Sequence, residues 1–150
     1  MKSSKIHFAI FIAAYLLFAS LLYAQDIFAY KFIGKSRSDV IKQYGKPVHM
    51  DNSDPTMVCM FYKKNSNQMI FVADQNSVFQ VEVTKAFTSK TDAVNSLDDL
   101  LNTAMKESFI PDTLSANEYK LQKTDVSINA WLMNNSNLST FEVRIKAMRK

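Results

Sequence analysis

Residues 34–87 set the architecture of this chain, and they begin Gly34-Lys35-Ser36-Arg37-Ser38-Asp39-Val40-Ile41-Lys42-Gln43-Tyr44-Gly45-Lys46-Pro47. Ser36 and Asp39 have the spacing of a capping box, in which each side chain accepts a hydrogen bond from the other residue's backbone N–H. Apolar residues then recur at helical spacing, and Gly45 and Pro47 are typical of a helix end. We therefore expect a short helix, which at about nine residues needs packing against other elements to be stable.

Three strand-like segments follow this helix. They are residues 57–64, 68–73 and 77–87, and polar turn residues separate them. In the last segment apolar and polar residues alternate, which is the period of a half-buried strand. The first segment is apolar on both parities, so its two faces cannot be distinguished from the sequence. Short turns between consecutive strands predict an antiparallel meander.

The second half of the chain repeats this order of elements. Ser89 and Asp92 have the spacing of another helix cap, and Pro111 lies beyond the predicted helix end. The helix between them is amphipathic. Its expected apolar stripe consists of Val94, Leu97, Leu101 and Met105, with Ala93, Leu100 and Ala104 beside it. Three further strands are predicted at residues 118–123, 126–133 and 139–148.

Two cycles of one helix and three strands predict an α+β fold. Amphipathic helices and strands with one apolar parity bury their faces against each other in a two-layer sandwich. We therefore expect an antiparallel sheet of about six strands covered by two main helices. Residues 34–87 and 89–148 share only the order of their elements, so an internal repeat is a hypothesis.

Residues 1–25 predict a secretory signal peptide that lies outside this domain. Lys2 and Lys5 form a basic start, residues 8–24 carry no charge, and Ala24 with Gln25 marks the cleavage region. The alternative is an uncleaved anchor, because the apolar run is near the minimum length of a membrane span. We expect residues 26–150 to form a single exported domain, periplasmic or secreted, with membrane contact only through an uncleaved signal segment.

The charge balance argues against a nucleic-acid partner. Without residues 1–25 the chain keeps 16 basic and 14 acidic side chains, so its net charge falls from +4 to about +2. No run of Lys and Arg is long enough to form a basic patch. The length of residues 26–150 fits one globular domain.

The residues that most often act in catalysis or bind metals do not form a pattern typical of a catalytic, metal or cofactor site. Cys59 is the only cysteine, so it cannot form an intramolecular disulfide, and its apolar surroundings are typical of a small buried side chain. His49 is the only histidine after residue 25, and Asp54 and Asp74 stand in turns. No glycine-rich phosphate loop, zinc-ligand spacing or nucleophile elbow is present. We therefore predict a protein that is not an enzyme.

A family resemblance is carried by the helix of residues 33–47, by Phe61-Tyr62, and by Phe71-Val72-Ala73-Asp74-Gln75-Asn76-Ser77-Val78. This pattern resembles exported domains of the β-lactamase-inhibitory-protein type and the small lipoprotein of the outer-membrane barrel-assembly machinery. The chain departs from the lipoprotein because no cysteine lies near residue 24, and its second half lacks the Gly-x-Pro helix end. The resemblance implies tandem helix-plus-meander units and a fold used for protein binding.

Two functions remain open from the sequence. The first is a non-enzymatic domain that binds a protein or envelope component through an open sheet face. Its expected contact residues are the aromatic and apolar side chains Tyr62, Tyr119, Trp131 and Met133. The alternative is a carrier of a small apolar ligand in a pocket between helix and sheet. The expected lining of that pocket is Phe79, Phe87, Met105 and Phe141.

Overall fold

The structure is a computed structural model, and it describes residues 26–150. The predicted signal peptide and its cleavage region at Ala24 and Gln25 lie outside the described residues. Within the described part of the chain, no helix combines the length and the apolar character needed to cross a membrane.

Three helical segments and eight strands make up residues 26–150. The helical segments are the 3-10 segment Asp26–Phe32, α1 Arg37–Tyr44 and α2 Lys90–Lys106. The strands are β1 His49–Asp51, β2 Val58–Lys64, β3 Asn67–Ala73, β4 Val78–Phe87, β5 Ile110–Ser115, β6 Glu118–Gln122, β7 Val126–Asn135 and β8 Thr140–Arg149.

The strands form one antiparallel sheet in the order β1-β2-β3-β4-β8-β7-β6-β5. Strands β1–β4 follow one another from one edge to the centre, and β5–β8 do so from the other edge. The two halves meet where β4 pairs with β8, with Val83 opposite Ile145. The α+β class with an antiparallel sheet is therefore confirmed.

The prediction of about six strands is wrong, because both edge strands were missed. The edge strand β1 has only three residues and lies beside a polar loop, so it is too short to show a period. All six residues of β5 are exposed, so no apolar parity marks it, and Pro111 lies inside it. Proline is tolerated in an edge strand, because a position whose N–H would face solvent makes no hydrogen bond to another strand.

The predicted cap of α1 is confirmed in both directions. The Asp39 N–H donates to Ser36 Oγ at 3.2 Å, and the Ser36 N–H donates to Asp39 Oδ2 at 3.0 Å. The helix ends at Gly45, which has a φ of 81° and donates its N–H to the Ile41 carbonyl at 2.8 Å. At α2 the Asp92 N–H donates to Ser89 Oγ at 3.4 Å.

The helical cover lies on one face of the sheet. In α2 the buried stripe is Ala93, Leu97, Leu100 and Ala104, whereas Met105 is 43% exposed. The helix is therefore rotated by about one position from the predicted stripe, and its buried side runs through Leu97 and the three residues expected beside that stripe.

The 3-10 segment is the third component of this cover, and the sequence did not predict it. It packs on β3, β4, β8 and α2. The Tyr30 hydroxyl donates to Glu107 Oε2 at 2.9 Å, just beyond the end of α2, and Lys31 forms an ion pair with the same carboxylate. Burial and this carboxylate together raise the pKa of Tyr30.

Four rings, which we call the aromatic cluster, fill the part of the core beneath α1. Phe71 lies at its centre and is fully buried. Its ring centroid lies 5.8 Å from that of Phe32, 5.4 Å from that of Tyr44 and 5.7 Å from that of Tyr62. These distances are within the range of favourable aromatic pairs. Through Tyr44, the aromatic cluster supplies tertiary packing that stabilises the short helix α1.

The Asp74 carboxylate, in the turn between β3 and β4, is expected to make part of the folding stability depend on pH. Asp74 accepts hydrogen bonds from the Ser77 and Asn76 N–H groups and pairs with Arg149 at 2.7 Å, and these bonds lower its pKa to about 2. A folded-state pKa below the unfolded value of about 3.9 stabilises the fold above that pH, and the gain disappears as the pH falls toward 2. We expect thermal unfolding between pH 2 and 6 to show a smaller acid-side decline in Asp74→Asn than in the wild type. Equal declines in both proteins would contradict this assignment.

Candidate interaction surface

The face of the sheet opposite the helices carries no described helical segment, and we call it the open face. Strand pairing places side chains of eight strands on it, because directly paired residues point to the same side. Its central row runs through Phe61, Ile70, Glu82, Lys146, Asn129 and Lys120. The covered face carries the buried core, for example Phe71, Val81, Ala147 and Ile128.

The β2–β3 half of the open face is apolar along most of its length, and the pair Lys63 and Gln68 ends it with polar side chains. Cys59 pairs with Val72 and Phe61 pairs with Ile70, and we call these four residues the apolar patch. On the edge strand, the ring of His49 lies 5.4 Å from that of Phe61 and extends the patch. Phe61 and Ile70 are half-buried although no described helix covers them, since their neighbours in the sheet shield them. Val72 is only 7% exposed, so the accessible part of this preformed apolar surface consists of Cys59, Phe61 and Ile70.

The β7–β8 half of the open face is polar, and its charges are paired with each other. Arg144 donates to Glu142 Oε2 at 2.8 Å, and Lys146 pairs with Glu82 at 3.1 Å. Hydrogen bonds from Asn135 and then Arg144 lower the pKa of Glu142, which keeps its carboxylate ionised. The charges therefore cancel within the surface.

Trp131 and Met133 lie on this polar half, as their parity in β7 predicts. Trp131 is half-buried, and its indole N–H donates to Glu118 Oε1 at 2.9 Å. Met133 is 41% exposed and pairs with Glu142. The indole ring is thus held in one orientation by the strand next to it.

Tyr62 and Tyr119 do not join Trp131 and Met133, and the prediction that all four share an exposed face is wrong. Tyr62 is only 7% exposed and donates its hydroxyl to the Gly45 carbonyl at 3.1 Å. Tyr119 pairs with the buried Ala130, so it also lies on the covered face. For Tyr62 the physical reason is that β2 is apolar on both parities. Its alternation therefore could not indicate which side faces the helices.

The structure brings the four expected ligand-pocket residues together only in part. Phe87 pairs with Phe141 at one end of the β4–β8 ladder, and both are half-buried. Met105 lies on the exposed side of α2. A cleft of about 240 Å³ between α2 and β4 includes Phe87 in its lining but not the other three expected residues.

The apolar patch was missed by sequence reasoning, although a signal was present. A strand that is apolar on both parities is expected to have apolar side chains on both faces of a sheet. In β2 this leaves Cys59 and Phe61 on the open face and Met60 in the core. Only the pairing of β2 with β3 shows that Ile70 and Val72 continue the same patch.

The Cys59 thiol on the open face is not activated as a nucleophile. Desolvation, and to a smaller extent the nearby Asp51 and Asp54 carboxylates, raise the pKa of the Cys59 thiol. A raised pKa disfavours the thiolate, which is the nucleophilic form. Among residues 26–150, no group of three or more His, Cys, Asp or Glu side chains is arranged to hold a metal ion.

Comparison with known proteins gives similarity only among solved structures. No protein family and no curated protein matches the chain. A cysteine-rich secretory protein from Staphylococcus aureus subsp. aureus Mu50 is 8% identical with a TM-score of 0.49. An extracellular protein containing an SCP domain from Bacillus anthracis str. Ames is 10% identical with a TM-score of 0.45. Each alignment covers 80% of this chain, which spans about 45% of the length of each of those chains.

Proposed function

We propose that this chain is an exported, non-enzymatic domain that binds a protein partner through its open face. The observation that carries the proposal is the apolar patch on a sheet face that no described helix covers. The core is already built on the other face, so these apolar side chains are not needed to close it. Their burial by a partner would add a hydrophobic contribution of about 25 cal/mol per Å² of apolar surface.

The polar half of the open face supports specificity. Its carboxylates and basic groups are hydrogen-bonded to each other before any partner arrives, so the surface is ordered in advance. Trp131 and Arg144 are neighbours across β7 and β8, and these residue types are enriched among interface residues with large energetic effects. A partner would therefore meet an apolar half and a preorganised polar half on one sheet.

Export and the family resemblance are part of the same proposal. The basic and apolar character of residues 1–25 supports a cleaved signal peptide and a periplasmic or secreted protein. The equivalent strand order of the two halves, on either side of the β4–β8 pair, supports a resemblance to tandem helix-plus-meander domains of the β-lactamase-inhibitory-protein type.

Site-specific crosslinking in the exporting cell tests the proposed surface. We expect a photoreactive phenylalanine analogue at Phe61, Ile70 or Met133 to form adducts with one partner protein. The same analogue at Met105 or Ile41 is the control, because both residues are exposed and lie on helices rather than on the open face of the sheet. A pull-down from envelope extract is expected to recover that partner with wild-type protein and to lose it with the Phe61→Ala, Trp131→Ala double variant.

Two results would contradict the proposed surface. One is adduct formation at Met105 and Ile41 but not at the three open-face positions. The other is equal recovery of the crosslinked partner by the double variant and by Met105→Ala. Urea unfolding of each variant would verify that a loss of binding is not a loss of folding.

A further inference from the structure

A separate cleft lies at the free edge of β2, on the side of the sheet that faces α1. Strand β1 pairs only with Cys59, Met60 and Phe61, so residues 62–64 extend beyond it. The end of α1 and the connection to β1 border this edge, and together they enclose about 240 Å³. The cleft is therefore a product of the short edge strand.

The floor of the cleft is apolar and aromatic. Tyr44 and Tyr62 belong to the aromatic cluster, and their ring centroids lie 5.7 Å apart. Met69 is the strand partner of Tyr62, and Val48 is 67% exposed on the opposite side of the cleft. Tyr62 and Met69 are only 7% and 4% exposed, so a flat or branched apolar group would contact mainly Tyr44 and Val48.

The rim of the cleft is cationic. Lys46, Lys63 and Lys64 all line it. The side chains of Lys46 and Lys63 form no ion pair with any residue between 26 and 150. Asp26 is the only carboxylate in the described lining; it is 8% exposed and accepts a hydrogen bond from Asn67 Nδ2 at 3.3 Å. The rim therefore has a net charge of about +2.

The strand edge adds a main-chain donor. Residues of a strand alternate between its two neighbours in the direction of their N–H and C=O groups. Phe61 directs its carbonyl toward β1, where it accepts a hydrogen bond from the Val48 N–H at 2.9 Å. Lys63 lies two residues further on, beyond the last pair with β1, so its N–H is directed to the same edge and into the cleft.

We propose that this cleft binds a carboxylate that carries an adjacent aromatic or branched apolar group, as the C-terminal residue of a polypeptide does. The carboxylate pairs with the Lys46 ammonium group and accepts the Lys63 N–H, while the apolar group lies on Tyr44 and Val48, above Tyr62 and Met69. Capture of a terminal carboxylate beside a free strand edge is a recurring mode of peptide recognition. Neither the apolar patch nor Trp131 or Met133 lines this cleft.

A titration followed by amide NMR shifts tests the charge requirement with three matched probes. They are N-acetyl-L-phenylalanine, its uncharged C-terminal amide, and the cation phenethylamine. We expect the acid to shift the signals of Lys63 and Met69, the amide to bind about fivefold more weakly, and the amine to leave those signals unchanged. Raising the salt concentration is expected to weaken binding of the acid but not binding of the amide.

Matched variants locate the site. Lys46→Gln is expected to lower the affinity for the acid about fivefold. Lys106→Gln, at a lysine outside the cleft, is expected to leave that affinity unchanged. Trp131→Ala is expected to leave the affinity for the acid unchanged, so failure of this proposal and failure of the proposed open-face surface are distinguishable.

A hexapeptide ending in phenylalanine distinguishes two sources of the carboxylate. It binds more tightly than the acid if the ligand is a polypeptide end, and equally tightly if the ligand is a small acid. Equal binding of acid and amide, tighter binding of the amine through Asp26, or no shift with any probe would overturn the proposal.

Discussion

Replacement of Phe71 by alanine is expected to lower the free energy of unfolding by about 3–5 kcal/mol. Phe71 is fully buried and is in contact with the other three rings of the aromatic cluster. The substitution removes the apolar burial of one ring and leaves a cavity beneath α1 that its neighbours fill only in part. Since a domain of this size has about 5–15 kcal/mol of stability, the variant loses a large fraction of it. Urea unfolding followed by circular dichroism measures the difference.

Phe61→Ala is the matched control for this prediction. Phe61 and Phe71 belong to neighbouring strands, and Phe61 pairs with Ile70, so the two phenylalanines occupy adjacent positions on opposite faces of one hairpin. Phe61 lies on the open face and is only half-buried, so its truncation leaves no closed cavity, and we expect a smaller change of about 1 kcal/mol. Equal destabilisation by the two substitutions would contradict the assignment of the faces.

A fragment of residues 26–88 is expected to remain unfolded on its own. Strand β4 forms eight residue pairs with β8, and the 3-10 segment packs on both β8 and α2, so the two halves share one core. The fragment would expose Val81 and Val83 along an unpaired strand edge, together with the buried side of the 3-10 segment. We expect a poorly dispersed amide NMR spectrum from this fragment. When residues 89–150 are added as a second fragment, we expect the dispersion of the intact protein to return.

A dispersed spectrum from residues 26–88 alone would contradict the shared core and favour two autonomous units. The order of elements is equivalent in the two halves, so autonomy is a reasonable expectation from topology alone. The argument against it rests on burial: Val83 and Ile145 face each other at the centre of the sheet, and both are only 2% exposed. Each of them depends on the other half for part of its cover.

The candidate surface was predictable in part. Trp131 and Met133 could be placed on one face of β7 because Ile128 and Ala130 mark the other parity as buried. Tyr62 could not be placed, because Cys59, Met60, Phe61 and Tyr62 are all apolar or aromatic, and each parity was equally suited to the core. The cleft at the free edge of β2 gave no sequence signal, since it exists only because β1 stops short of residue 62.

The sequence by itself determined the elements whose signals lie within a few consecutive residues. These are the capped α1, the amphipathic α2, and strands with clear alternation such as β8, because helix capping and side-chain periodicity are local properties of the backbone. Only the tertiary structure decided the edge strands β1 and β5, the rotation of α2 on the sheet, and the face to which β2 presents Phe61. Each of these depends on which distant segment lies alongside, and burial against a distant partner leaves no periodic signal in a short or uniformly apolar stretch.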